Sequence, residues 1–184
     1  MVTPARTDKP IFPYLPDGRE ILFVPLENKW MKEAKEITDT LSGCSWWPTG
    51  AVIVKNEKII GVGANKGIWQ PLCPRVENNC PTGEGYHYCK DICQQDGHAE
   101  VSSINNTLEN NEDPEEADIY LFGHWWCCEP CWNHMIKHGI KKVYLLENSH
   151  LIFNREKRLK LMKDVAEKLK VGGQVIREDT IWEI

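Results

Sequence analysis

From about Glu27 to Leu41 apolar residues recur at helical spacing. Trp30, Met31, Ala34, Ile37 and Leu41 share one side of a helix that Ser42-Gly43 ends. Next, Ala51-Val52-Ile53-Val54 and Ile59-Ile60-Gly61-Val62 flank the polar Lys55-Asn56-Glu57-Lys58, the pattern of a β-hairpin. Residues 66–97 carry Pro, Gly, Cys and Asn without a period and read as a long loop. A loop of more than ~15 residues in a compact domain is usually functional or held by something. His98 to Leu108 is helical again, with Ala99, Val101 and Ile104 on or near one face. Asp118 to Phe122 reads as a strand, Cys128 to His138 as a helix and Lys142 to Leu146 as another strand. Asn154 to Lys170 is a basic amphipathic helix with Leu159, Leu161, Met162, Val165, Ala166 and Leu169 on its apolar side. Gly172-Gly173 breaks it before a last strand at about Gln174 to Ile176.

A helix between the last two strands is the crossover that parallel neighbours require. The pattern predicts an α/β protein, a three-layer α/β/α domain on a mixed, roughly five-stranded sheet. That single domain spans 27–184 and carries a Cys-rich insertion at 66–97. Residues 1–26, with Pro4, Pro10, Pro13, Pro16 and Pro25, predict an extended arm, and the chain has no internal repeat.

The chain has 184 residues, 41% hydrophobic and 27% charged, enough for one domain with a substantial core. No apolar run approaches a membrane span, and the start Met1-Val2-Thr3-Pro4-Ala5-Arg6 lacks a secretory core. The net charge of −5 argues against a nucleic-acid partner, though a local site can still take a small anionic nucleotide. In an unsecreted, cytoplasmic chain, eight cysteines read as metal ligands rather than disulfides. Cys127, Cys128 and Cys131 form one group, Cys73, Cys80, Cys89 and Cys93 a second, and Cys44 stands alone.

The sharpest chemistry lies in His98-Ala99-Glu100 together with Cys128-Glu129-Pro130-Cys131. One histidine and two cysteines three apart can bind zinc and leave a fourth position open for water. Imidazole and thiolate suit zinc better than harder cations. Bound zinc lowers the pKa of its water from ~15.7 towards ~7. Glu100 is placed to take the water proton, pass it to a ring nitrogen and help ammonia leave. Cys127 is a possible fourth ligand, although adjacent cysteines rarely reach one metal together. A helix starting at Cys128 would help keep the thiols ionised. Cys73, Cys80, Cys89 and Cys93 allow a second, closed zinc site pinning the long loop; His87 could replace one thiolate and Cys44 could be recruited.

With these motifs the chain resembles the cytidine deaminase superfamily, and most of all its deoxycytidylate deaminase branch. The resemblance runs from about Trp30 to Asn148. Cys44-Ser45-Trp46 and Gly50-Ala51-Val52-Ile53-Val54 are similar to the helix exit and first strand. Gly63-Ala64-Asn65 resembles the segment whose asparagine binds the sugar. Gly97-His98-Ala99-Glu100 resembles the ligand-and-shuttle segment. Cys128-x-x-Cys131 before Gly139-Ile140-Lys141-Lys142-Val143 resembles the second ligand helix and its strand. The family usually has proline where this chain has Cys127, and tends to have glycine where it has Lys66. The resemblance implies one catalytic zinc, Asn65 on the sugar, and Ala99 near the substrate. It also implies a second zinc, which some phage-type members carry. Lys66 is a candidate phosphate contact, and Trp125 and Trp126 could stack on or shape a place for a pyrimidine.

The expected function is therefore zinc-dependent hydrolytic deamination of a free cytosine nucleotide, dCMP to dUMP foremost. The alternatives are a deaminase of another nucleoside, base or nucleic acid, and a zinc-stabilised nucleotide-binding protein without catalysis. The expected partners are a small-molecule nucleotide and further copies of the chain in a homo-oligomer, without a membrane.

Overall fold

A computed structural model describes residues 10–81 and 83–184. Its sheet has five strands, β1 (Ile21–Val24), β2 (Gly50–Lys55), β3 (Lys58–Ala64), β4 (Asp118–Phe122) and β5 (Lys142–Leu146). Their order is β1-β5-β4-β2-β3. The sheet is mixed, as expected: β2 is antiparallel to β3 and β4, while β4, β5 and β1 run parallel. Seven helices accompany it among the described residues: α1 (Lys29–Leu41), α2 (Pro74–Glu77), α3 (Tyr86–Asp91), α4 (Ala99–Glu109), α5 (Glu129–Lys137), α6 (Ser149–Ile152) and α7 (Arg155–Lys170).

The central strands are apolar at nearly every position because both sheet faces are covered. Ala51, Ile53, Ile119 and Leu121 face the α4–α5 side with Ile104, Trp132 and Met135. Val52, Val54, Tyr120 and Phe122 face the other side, where Met31 and Ala34 of α1 pack. The Asn28 side chain caps α1 by accepting from Trp30 N and Met31 N. These are the three layers the pattern predicts.

Glycines bring α4 down onto β3. A Cβ on Gly63 would lie 2.1 Å from Ser103 N, and one on Gly61 only 2.7 Å from Ser103 O. Along β3 the contact moves from Thr107 at Gly61 to Ser102 at Gly63, so α4 runs antiparallel to the strand. Its N-terminus therefore lies at the C-terminal end of β3. That end is shared with β4, since Ala64 and Phe122 both pair with Gly50. The β4–α5 turn brings the start of α5 to the same edge.

Two expectations change. Gln174–Ile176 forms no strand; the chain enters a 3₁₀ turn at Arg177–Thr180, where Asp179 Oδ2 accepts from Ile176 N. The place beside β5 is taken by β1, which lies within the predicted N-terminal arm and pairs in parallel with β5 from Ile21 opposite Val143 to Val24 opposite Leu146. The arm's residues 1–9 lie outside the described residues. In consequence α7 is not a crossover. It buries Met162 and Val165 against Trp46 and Cys73, leaving Leu169 exposed. The tail then returns to the core, with Trp182 packed against Phe153 and its Nε1 donating to Pro48 O at 2.7 Å.

Candidate active site

Two helix starts converge beyond the β3 and β4 ends. His98 is the N-cap of α4 and Cys128 the N-cap of α5, both in extended backbone, and neither helix start has a side-chain cap. Unpaired N–H groups at such ends favour anions, here thiolates and whatever charge develops on a bound substrate. His98 Nδ1 lies 3.4 Å from Cys128 Sγ and 3.3 Å from Cys131 Sγ. The three ligand atoms lie within 4.8 Å of one another, the tightest such group among the described residues. Two sulfurs and an imidazole nitrogen facing one point match the donor set of zinc. Hydrogen bonding from Cys131, and then from His98, pulls the Cys128 thiol down to about 4 against the cost of burial. The bond from Cys128 raises His98.

Glu100, in the first turn of α4, is 5% exposed. Burial raises its carboxyl above the usual range, and the nearby His98 pulls the other way. The buried Cys127 thiol lies close enough to act on it: burial and then the Glu100 charge push that thiol well up. Cys127 therefore stands beside Glu100 and outside the His98, Cys128 and Cys131 group. Extended backbone at Cys128 turns the two neighbouring side chains to opposite sides. Residue type alone pointed Cys127 at the metal; its place beside Glu100 had no sequence signal beyond its standing where the family has proline.

Other expected residues sit as follows. The Asn65 amide is buried and tied into the fold: Oδ1 accepts from Ser42 Oγ at 2.6 Å and Thr49 N at 3.0 Å, and Nδ2 donates to Trp47 O at 2.8 Å. Lys66 beyond it is exposed. Ala99 has its side chain in the core. Trp125 stacks on Phe12, while Trp126 packs edge-on to His124. His124 Nδ1 accepts from the backbone of both tryptophans, at 3.1 and 3.4 Å.

Within the insertion, Cys73, Cys80, Cys89 and Cys93 do not form one close ligand group among the described residues. Cys80 turns away, packing against Gly85, and His87 is exposed against Tyr88. The insertion does bring an unforeseen pair to the site. Tyr86 lies 6.1 Å from the His98 ring, and the Arg75 guanidinium stacks over Tyr86 at 4.3 Å and over Trp46 at 5.2 Å. Arg75 Nε also donates to Glu84 O. Arg75 is the one arginine of the insertion, a cue that composition offers and periodicity hides.

A mixed five-stranded sheet flanked by helices, with a His-Cys-Cys group and a buried glutamate where two helices begin, defines the class of zinc-dependent deaminases. Residues 25–147 match the cytidine and deoxycytidylate deaminase zinc-binding region, and the chain belongs to that family. Among curated proteins none matches the chain. Among solved structures it is similar to the dCMP deaminase of cyanophage S-TIM5, at 22% identity over 71% of this chain and 88% of that one, TM-score 0.43. It is similar also to a diaminohydroxyphosphoribosylaminopyrimidine deaminase/5-amino-6-(5-phosphoribosylamino)uracil reductase from Thermotoga maritima, at 21% over 75% and 37%, TM-score 0.41. A third is guanine deaminase from Bacillus subtilis, at 21% over 68% of each chain, TM-score 0.39.

Proposed function

We propose that this protein hydrolytically deaminates a free cytosine nucleotide, with dCMP to dUMP and ammonia as the favoured reaction. The observation that carries the reading is Glu100, a buried carboxylate with a raised pKa, two residues from a metal ligand. A merely structural zinc site has no use for such a group. Zinc at His98, Cys128 and Cys131 would supply an activated water and a Lewis acid there. Glu100 then takes a proton from the attacking water, delivers it to the pyrimidine ring nitrogen and returns one to the departing amine. The uncapped starts of α4 and α5 stabilise the negative charge that grows as the ring is attacked.

Trp126 is the better placed of the two tryptophans to flank the base, since Trp125 is occupied by Phe12. Asn65 keeps one amide hydrogen free for a sugar hydroxyl, and Ala99 can contact substrate through its backbone. For a phosphate, Arg75 has a stronger case than Lys66: it is fixed by two aromatic rings, and one of them, Tyr86, lies 6.1 Å from the His98 ring. A homo-oligomer belongs to the reading through the family resemblance, and eight unpaired cysteines support a reducing, cytoplasmic setting.

The experiment offers dCMP, CMP, dCTP, deoxycytidine, cytosine, adenosine, guanine and a single-stranded oligonucleotide to the zinc-loaded protein and follows ammonia. The reading expects the highest kcat/KM for dCMP. A preference for deoxycytidine, guanine or the oligonucleotide overturns the substrate while leaving the deaminase; no ammonia from any compound overturns both.

A further inference from the structure

A cleft of about 920 Å³ lies between α7 and the first part of the insertion. On the α7 side it is lined by Leu159, Met162, Ala166 and Leu169. Steps of three, four and three residues are the a and d places of a heptad, the seam by which one helix packs on another. Leu72 and Val76 line the facing wall, and these two with Leu159 are partly buried against Trp46 and Met162. The floor is therefore aliphatic and continuous with the core. α7 is firmly anchored: Arg158, which does not line the cleft, is 4% exposed and donates to the carbonyls of Ser45, Trp46, Thr180 and Ile181. Its wall of the cleft stands preformed.

An independent feature is the charge along this seam. Arg155, Lys163 and Lys170 also line the cleft, against Glu77 as the lone acid of the lining. Lys163 and Lys170 each follow a d place, at the e positions where paired helices carry the charges that choose a partner. None of the three cations has a carboxylate partner among the described residues, whereas Lys168, on the same helix but off the cleft, pairs with Asp179. At 1.5 Å per residue they stand ~12 and ~10.5 Å apart along the helix. One anionic head group meets one of them; acids repeated every two helical turns meet all three. Trp46, the aromatic ring of the lining, already carries Arg75 and Arg155 over it, so it offers bases no open stacking platform.

We propose that this cleft receives an acidic amphipathic helix of a partner protein. Its apolar residues seat between α7 and the Leu72–Val76 wall, and its carboxylates face Arg155, Lys163 and Lys170. This is helix-in-groove recognition, with aliphatic anchors supplying affinity and the charges setting register and choice of partner. Spanning Arg155 to Lys170 takes ~15 residues of partner helix. The docking surface also borders the catalytic centre. Arg75, in the α2 wall, stacks on Trp46 within the cleft and on Tyr86, which lies 6.1 Å from the His98 ring. The inference does not depend on the substrate, nor on the chain being catalytic.

Fluorescence anisotropy on the zinc-loaded full chain tests it. The probe is a labelled synthetic peptide of roughly three heptads, with Leu at a and d and Glu at e and g, whose glutamates keep it from pairing with itself. It should bind saturably, and more weakly as salt rises. Lys163→Glu with Lys170→Glu, both on the helix surface, should weaken it by roughly tenfold or more. A peptide with Lys in place of Glu should show the reverse preference, binding the charge-reversed protein better than wild type. The Glu peptide with Ser at a and d should bind neither. Absence of saturable binding, equal binding of the Ser peptide, or indifference to the charge reversal would each overturn the proposal. So would tighter capture of an oligothymidylate than of the peptide, which would make the cleft a polyanion site. Wild-type assemblies that fall apart on the same charge reversal would put a second copy of this chain in the cleft and overturn it too.

Discussion

Cys127 and Glu100 are both buried and act on each other's titration, the thiol lowering the carboxyl and the carboxylate raising the thiol, so the proposed proton carrier has as its neighbour a residue adjacent to a metal ligand. A thiol proton shared with the carboxylate would steady its direction. A hydrogen bond to a charged group is worth roughly 1.5–3 kcal/mol. Cys127→Ala should therefore lower kcat by about tenfold or more with little change in KM, since 1.4 kcal/mol is a factor of ten. Cys127→Ser should restore most of the rate because it keeps the donor. Equal rates in wild type and the alanine variant would show that the thiol only fills space.

Glu100→Gln should keep its zinc and lose turnover by roughly 100–10,000-fold, the usual reach of a positioned acid–base group. The amide has the same shape but carries no transferable proton. Metal content and ammonia release, measured on one sample, separate loss of chemistry from loss of the ion.

Asn65→Ala should destabilise the protein even without any nucleotide. The amide joins Ser42, Trp47 and Thr49, which means it holds the α1–β2 loop to the end of β3. Orphaning those buried partners should cost about 1–3 kcal/mol, read as a lower urea midpoint. A variant of unchanged stability with weakened kcat/KM would instead put the residue's whole value in the substrate.

His124 should make stability fall on the acid side. Its Nδ1 accepts two backbone N–H groups, so the ring must be unprotonated there, and burial drives its pKa down from 6.5 to about 4. Since the unfolded chain binds the proton more readily, stability is complete above pH 6.5 and is lost as pH falls towards 4. His124→Asn keeps an acceptor near the Nδ1 position without titrating, and should flatten that limb in urea titrations between pH 4 and 6.5. An unchanged slope would place the acid sensitivity elsewhere.

Much of the site was legible because its chemistry forces local sequence. Ligands on helix starts need fixed spacings, so His98, Glu100, Cys128 and Cys131 could be read together, and apolar runs at β2 and β4 announced a sheet covered on both faces. The parts that escaped depend on distant pairing. β1 is four residues among prolines, with too little alternation to mark it, and only its parallel register with β5 makes it a strand. The strand expected at Gln174–Ile176 had the same apolar look but an edge already filled. In the insertion, spacing could group four cysteines but not say that Cys80 faces elsewhere while Cys44, from another loop, lines a cavity with Cys73, Cys89 and Cys93. Arg75 and Arg158 act through rings and carbonyls that no linear pattern records.

Arg158 and Trp182 carry one more implication. The segment matching the family ends at residue 147, yet the guanidinium of Arg158 bonds carbonyls in the loop before β2 and others in the tail, and Trp182 sits on that same loop through Pro48. At the other end, β1 lies ahead of the matched segment and closes the sheet. The stretch that evolution recognises is therefore smaller than the stretch that stands up by itself. Trimming the chain to residues 25–147 would keep His98, Glu100, Cys128 and Cys131 and remove the brace from both sides of them.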